Sequence, residues 1–131
     1  MTELLGKIIP ILIIKDATSA IELYKQALNA KVLEIHFDEN NKNMVMHAAI
    51  QIGDSLVYID DVQSNSIAGG NVLQAAKLCV YVENADELFN KAVSKGMQVE
   101  RSLENMHWGY RFGVVKDEYG IQWCFSSPLK K

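Results

Sequence analysis

The chain is poor in the features that would assign it quickly. It has only two cysteines, Cys79 and Cys124, in 131 residues. Two thiols make no disulfide framework, so a cross-linked secreted scaffold is not expected and reduced thiols in a cytoplasmic protein are. There is no basic run, and the formal net charge is −3. Nucleic acid and anionic membranes are therefore not expected as partners. The longest apolar run, Ile8–Ile14, contains Pro10. It falls far short of the ~20 residues a bilayer span requires. The opening "MTELLGK" lacks a basic flank and a cleavage site, so no secretory signal is expected there.

What is present is ordinary globular composition, 49% apolar and 22% charged. The length predicts one domain over 1–131 with a real core. Within it the hydrophobic periodicity repeats. "KIIPILIIKD" is a β-branched run that fits a buried strand. "ATSAIELYKQALNA" follows, with Ala20, Leu23, Tyr24, Ala27 and Leu28 on one helical stripe. Asp16 or Ser19 can cap its start and Asn29 can close it. "KVLEIHFD", "MVMHAAIQI" and "SLVYID" alternate as strands, the last two joined by a tight turn at Gly53-Asp54. Leu33, Ile35 and Phe37 share one face of the first of these, and Met46, Ala48, Ile50 and Ile52 one face of the second.

After a polar, Gly-rich stretch over Asp61–Ala75, the pattern returns. "AKLCVYVEN" is a strand. "ADELFNKAVSKG" is a helix whose stripe, Ala85, Leu88, Phe89, Ala92 and Val93, copies the first at an offset of 65. Asn84 and Glu87 resemble a capping box, and Gly96 ends the helix. "MQVERSL", "GYRFGVV" and "IQWCFS" are three more strands. The chain thus reads as α+β, two tandem βαβββ modules, with module 1 over about 5–60, a linker over about 61–75 and module 2 over about 76–128.

One helix covers only one face of a four-stranded sheet. The apolar alternates, Trp123 and Phe125 among them, should lie under the helices. The opposite face is left open. In module 1 it carries His47, Gln51, Tyr58 and Asp60; in module 2 it carries Lys77, Cys79, Tyr81, Gln122, Cys124 and Ser126. That mixture is too polar for a dry core and too aromatic for bare solvent, and it suits a pocket wall. Trp108, Tyr110 and Phe112 alternate in "HWGYRFG" and should share a face, as a stacking surface for a flat ligand or as packing. His47 is either a structural histidine bonded to Asp60, its expected cross-strand neighbour, or a ligand contact. His36, Glu34 and His107 are expected at the surface. Arg111 should pair with Asp117 or Glu118. Lys77 beside Cys124 would favour the thiolate and lower its pKa, unless both side chains are inert.

Taken together, "AIELYKQALNAKVL", "HAAIQIGDSLVYIDD" and the W-G-x-R-x-G…D-x-x-G-x-x-W pattern from Trp108 to Trp123 resemble the vicinal oxygen chelate superfamily. That superfamily holds glyoxalase I, bleomycin-resistance proteins, fosfomycin-resistance enzymes and extradiol dioxygenases. The likeness is to its PhnB-like branch and covers almost the whole chain. Glu118 departs from it, standing where the family usually has Pro. The resemblance implies two half-barrel modules curled around a cavity, helices outside, with pairing within one chain or across a homodimer. It also implies a divalent metal in the catalytic members, held by His or Glu on the first and last strand of each module. Those positions fall here on Ile9, Tyr58, Lys77 and Cys124. Ile9 offers no donor, Tyr58 is a poor ligand and Lys77 is a cation, so no metal or other cofactor is expected.

The function so implied is metal-free binding of a small organic ligand, as in bleomycin-resistance proteins. Tyr58, Trp108, Tyr110 and Phe112 would supply apolar contact; His47, Lys77, Gln122 and Cys124 would supply polar contact. Two other readings stay open. One is a glyoxalase-like lyase or isomerase, with a metal at non-standard ligands or His47 as general base. The other is an interaction protein with a vestigial cavity.

Overall fold

The computed structural model describes residues 8–62 and 76–129. The elements run β1 (Ile11–Ile14), α1 (Ala17–Leu28), β2 (Lys31–Phe37), β3 (Val45–Ile52), β4 (Ser55–Asp61), then β5 (Lys77–Tyr81), α2 (Ala85–Ser94), β6 (Gln98–Asn105), β7 (Tyr110–Lys116) and β8 (Gln122–Pro128). This is βαβββ twice, as the periodicity predicts. The strands form two four-stranded sheets, ordered β1-β4-β3-β2 and β5-β8-β7-β6. In each, the first strand lies parallel to the last, and the remaining pairs are antiparallel. The fold class is α+β. Most of the expected linker, residues 63–75, lies outside the described residues. Its first residue, Asp61, is the last of β4, in register with Ile14.

The chain divides into two compact units. The first holds β1 to β4 with the start of α1; the second holds β5 to β8 and α2 together with Leu23–Leu28 of α1. In the first unit, Asp16 takes φ 64 and caps α1 by accepting from Ser19 Oγ at 2.8 Å. Asp61 Oδ2 accepts from Ala17 N at 3.4 Å, which ties the end of β4 to the first turn of the helix. Asn29, at φ 57, closes α1 in the left-handed conformation asparagine tolerates. Gly53 supplies the positive φ (59) that the two-residue turn between Ile52 and Ser55 demands at its first central position. Leu12, Ile14, Ala48, Ile50 and Ile59 are buried.

The alternation fails at the edge strand and at Met46. β2 is exposed along most of its length, including Leu33 and Phe37. Leu33 is the extra residue of a bulge between Val32 and Glu34, which pair with Ile50 and Ala49, so it drops out of the alternation. The β2–β3 register shifts between His36 and Phe37, which pair with His47 and Val45. Met46 is the extra residue of that bulge; Val45 is buried in its place and Met46 is exposed.

In the second unit, Asn84 caps α2 by accepting from Glu87 N at 3.2 Å, and Gly96 follows it at φ 101. Ala85, Leu88, Phe89 and Ala92 are buried; Val93, at the rim of the stripe, is exposed. The helix presses close on β7. A Cβ at Gly113 would sit 2.9 Å from the Phe89 ring, so the second glycine of the W-G-x-R-x-G pattern is a packing requirement.

The centre of this unit is polar and fully paired. Asp117 is 4% exposed. Its Oδ2 accepts from Tyr24 Oη at 2.7 Å and Trp123 Nε1 at 2.9 Å. Its Oδ1 accepts from the backbone N–H of Tyr119 at 2.9 Å and of Ile121 at 3.0 Å. Four donors thus converge on one carboxylate, and they hold the β7–β8 turn closed with Glu118 in place of the family's Pro. Burial first, then the Asp117 charge, raises the Tyr24 phenol well above its ordinary pKa, so it remains a donor. Asp117 is therefore already engaged, and Arg111 does not pair with it or with Glu118. Arg111 shares the helix-facing parity of Gly113 and bonds Asp86 of α2 at 2.6 Å and Asn105 at 2.9 Å.

Candidate functional site

Each sheet has an open face opposite its helix-covered one, and strand register assigns the residues to it. In the first sheet, Tyr58 is in register with Ala49 and with Ile11, and His47 lies one pleat repeat along β3 on the same face. His47 Nδ1 lies 2.9 Å from Asp60 Oδ1, and its ring meets Tyr58 edge to face with centroids 4.7 Å apart. Asp60, being an acceptor, assigns the Nδ1 proton to that bond and leaves the lone pair on Nε2. All three side chains are half-buried. The expected His47–Asp60 neighbourhood is present. Asp60 orients the imidazole, a role the sequence pattern indicated only through parity.

In the second sheet, register pairs Lys77 with Gln122, Cys79 with Cys124 and Tyr81 with Ser126 across β5 and β8. Phe112 is opposite Ser126, and Val114 opposite Cys124, across β7 and β8. Five of the expected contact residues, Lys77, Tyr110, Phe112, Gln122 and Cys124, therefore share one face. Cys79 and Tyr81, which the alternation also put on this face but which were not among the expected ligand contacts, join them. Tyr110 meets Tyr81 edge to face at 5.9 Å. Trp108 sits in the turn before β7, with Gly109 at φ 94 breaking the strand. It still reaches Phe112 at 5.9 Å and His107 at 5.1 Å while 50% exposed. The three aromatics of this stretch thus come from a turn (Trp108) and a strand (Tyr110 and Phe112), not from a single alternating strand.

Of the two readings of Lys77 and Cys124, activation by the lysine and an inert pair, the direction of the Cys124 shift favours the inert one. Desolvation by burial and the neighbouring Cys79 raise its pKa, and the Lys77 charge only partly opposes them. Lys77 is exposed and its charge is screened by water, whereas Cys124 is buried. Cys79 is likewise raised, chiefly by desolvation.

The positions of the family's metal ligands do not fit a divalent ion. Ile9 brings no donor, Tyr58 packs on His47, and Lys77 brings a cation. Among the described residues no three His, Cys, Asp or Glu side chains come together as a metal-binding group. No helix among them is long and apolar enough to cross a membrane.

Two four-stranded mixed sheets built from a repeated βαβββ unit define a two-module glyoxalase fold. The model of the glyoxalase/bleomycin resistance protein/dioxygenase superfamily matches residues 6–125, and the chain belongs to that superfamily. An uncharacterized protein from Mycobacterium bovis is 31% identical over 130 residues, covering 93% of this chain and 83% of its own length. The crystal structure of TioX from Micromonospora sp. ML1 superposes with TM-score 0.74 at 19% identity, over 93% of this chain and 98% of that one. A PhnB protein from Bacillus cereus, described as a putative 3-demethylubiquinone-9 3-methyltransferase, superposes with TM-score 0.70 at 20% identity, over 93% and 99%. At these identities the structural likenesses carry the fold alone.

Proposed function

We propose that the protein binds a small, flat or amphiphilic organic molecule, without the divalent metal of the family's catalytic members. The observation that carries this reading is the open face of the second sheet. Tyr81 and Trp108 stand 70% and 50% exposed there, braced edge to face by Tyr110 and Phe112, with Lys77 and Gln122 alongside. Exposed aromatic rings beside a few polar groups are what a ligand surface needs: area for stacking and donors for orientation. Lys77 favours a ligand bearing an anionic or carbonyl group. His47 and Tyr58 offer the same combination on the first sheet. The test is a thermal-shift screen of planar carboxylates and carbonyl compounds. A ligand at about 100 times its Kd stabilises the fold by ~2.7 kcal/mol. Hits should lose their shift in Trp108→Ala and Lys77→Gln; a hit indifferent to both would refute the assignment.

A second reading is favoured by the His47–Asp60 bond. An imidazole oriented by a carboxylate through Nδ1 presents Nε2 as a general base, which suits a lyase or isomerase acting on a carbonyl compound. Turnover of such a compound that is lost in His47→Ala, with binding retained, would establish it.

A further inference from the structure

Cys79 and Cys124 are direct register partners on the parallel strands β5 and β8, so their side chains leave the same face side by side. Both are free thiols; Cys79 is exposed and Cys124 is buried beside it. The ligand reading uses Cys124 only as one polar contact, and neither it nor the imidazole chemistry uses the two thiols as a pair.

Its spacing selects what it can hold. Neighbouring strands lie about 4.7–4.9 Å apart, and register partners on them keep roughly that separation at Cβ. A relaxed disulfide wants about 3.8 Å between its Cβ atoms. Closing one here would draw two hydrogen-bonded central strands together by roughly 1 Å. Two metal–thiolate bonds of about 2.3 Å placed end to end hold two sulfurs about 4.6 Å apart, a span that side chains leaving one face at strand spacing can meet by rotation about Cα–Cβ, with no movement of the strands. The absence of a third ligand among the described residues rules against zinc, which needs four. Two sulfurs alone suit a soft monovalent cation that accepts linear coordination.

We propose that Cys79 and Cys124 form a two-thiolate site for a soft monovalent cation of the copper(I) class. Binding forms two sulfur–metal bonds, breaks two S–H bonds and releases two protons; no electron is transferred. The resulting dithiolate complex carries one net negative charge. Lys77 supplies the compensating ammonium two residues before Cys79 on the same face. Tyr81, two residues after Cys79 on the same face, is placed to serve as an outer-shell partner through its hydroxyl. The site shares a sheet face with the proposed organic ligand but does not rest on that reading.

The experiment is an anaerobic titration of the reduced full chain with copper(I) against a chromophoric copper(I) chelator. One equivalent should bind. Cys79→Ser should lower the affinity by more than the roughly 100-fold that loss of an outer-shell partner reaches, and Tyr81→Phe by about tenfold or less. Cys79 is exposed, so its substitution leaves the fold intact; Cys124→Ser is the second arm, with circular dichroism as its folding control. Copper(I) affinity should be unchanged in Trp108→Ala, which removes the stacking surface of the ligand reading, so failure of this site is separable from failure of that reading. Binding unchanged by Cys79→Ser overturns the proposal. So does a disulfide that closes in air and resists mild thiol reductant, because the strands would then be closer than the register implies.

Discussion

Replacing Tyr110 and Trp123 by alanine separates the two faces of one hairpin. The residues lie on adjacent strands, β7 and β8, with opposite parity. Trp123 is 1% exposed, packs on Tyr24 at 5.1 Å and donates Nε1–H to the buried Asp117. Truncating a buried aromatic typically costs about 3–5 kcal/mol. Asp117 would also lose one of its donors, which places Trp123→Ala toward the upper end of that range. Tyr110 is only half-buried, and the ring it meets edge to face belongs to Tyr81, itself 70% exposed. Its truncation leaves an open surface and no closed cavity, so about 1–2 kcal/mol is expected. The difference is then ~2–3 kcal/mol. With a urea slope of roughly 1–3 kcal/mol per molar, the two midpoints should lie about 1–2 M apart. Far-UV circular dichroism is the suitable probe, since one variant lacks a tryptophan. If Trp123→Ala does not fold, Trp123→Phe keeps a ring in place and should still cost more than Tyr110→Ala. Equal midpoints for the two alanine variants would mean that Tyr110 is core, and the ligand-face assignment of β7 would fall with it.

Three other outcomes follow from the same structure. Tyr24→Phe removes a donor to Asp117 and should cost ~1–2 kcal/mol at neutral pH in urea melts. Because the folded-state Tyr24 pKa is raised, its contribution is fully present below the unfolded value of about 10 and is lost as pH rises beyond it. The wild-type midpoint should therefore fall more steeply than that of Tyr24→Phe between about pH 9 and 11; parallel curves would contradict the buried-phenol account. Zinc, nickel or manganese should raise the melting temperature by no more than about a degree, since no complete ligand set binds the folded state in preference to the unfolded one. A saturable rise abolished by His47→Ala would reveal a divalent site after all. Ile11 and Leu33, in the first sheet and away from the proposed ligand face of the second, are each half exposed, and a second copy covering them predicts a dimer in light scattering at micromolar concentration; a stable monomer there would count decisively against it.

Local patterning determined most of the architecture. The helix stripes at an offset of 65, the caps at Asp16 and Asn84, and the turns at Gly53 and Gly96 act within a few residues, so they are legible without the fold. Period-two alternation also placed Lys77, Cys79, Cys124 and Gln122 on one face, because strand parity survives any global arrangement. What tertiary structure decided was partnership and coverage. The bulge at Met46 shifted parity by one residue, and bulges leave no mark in a hydrophobic pattern. Leu33 is the extra residue of a second bulge in the β2–β3 pairing and is exposed, as is Phe37 at the end of the strand. Arg111 chose Asp86 over Asp117 because four other donors, including one from Tyr24, 93 residues away in sequence, already fill that carboxylate. Cys79 and Cys124, 45 positions apart, became direct neighbours through the parallel pairing of β5 with β8. Burial then raised the Cys124 pKa, deciding between the activated and inert readings that a nearby lysine had left open in the sequence. Charge adjacency can be read from a strand pattern; desolvation depends on how many atoms surround a group, and only the folded chain sets that number.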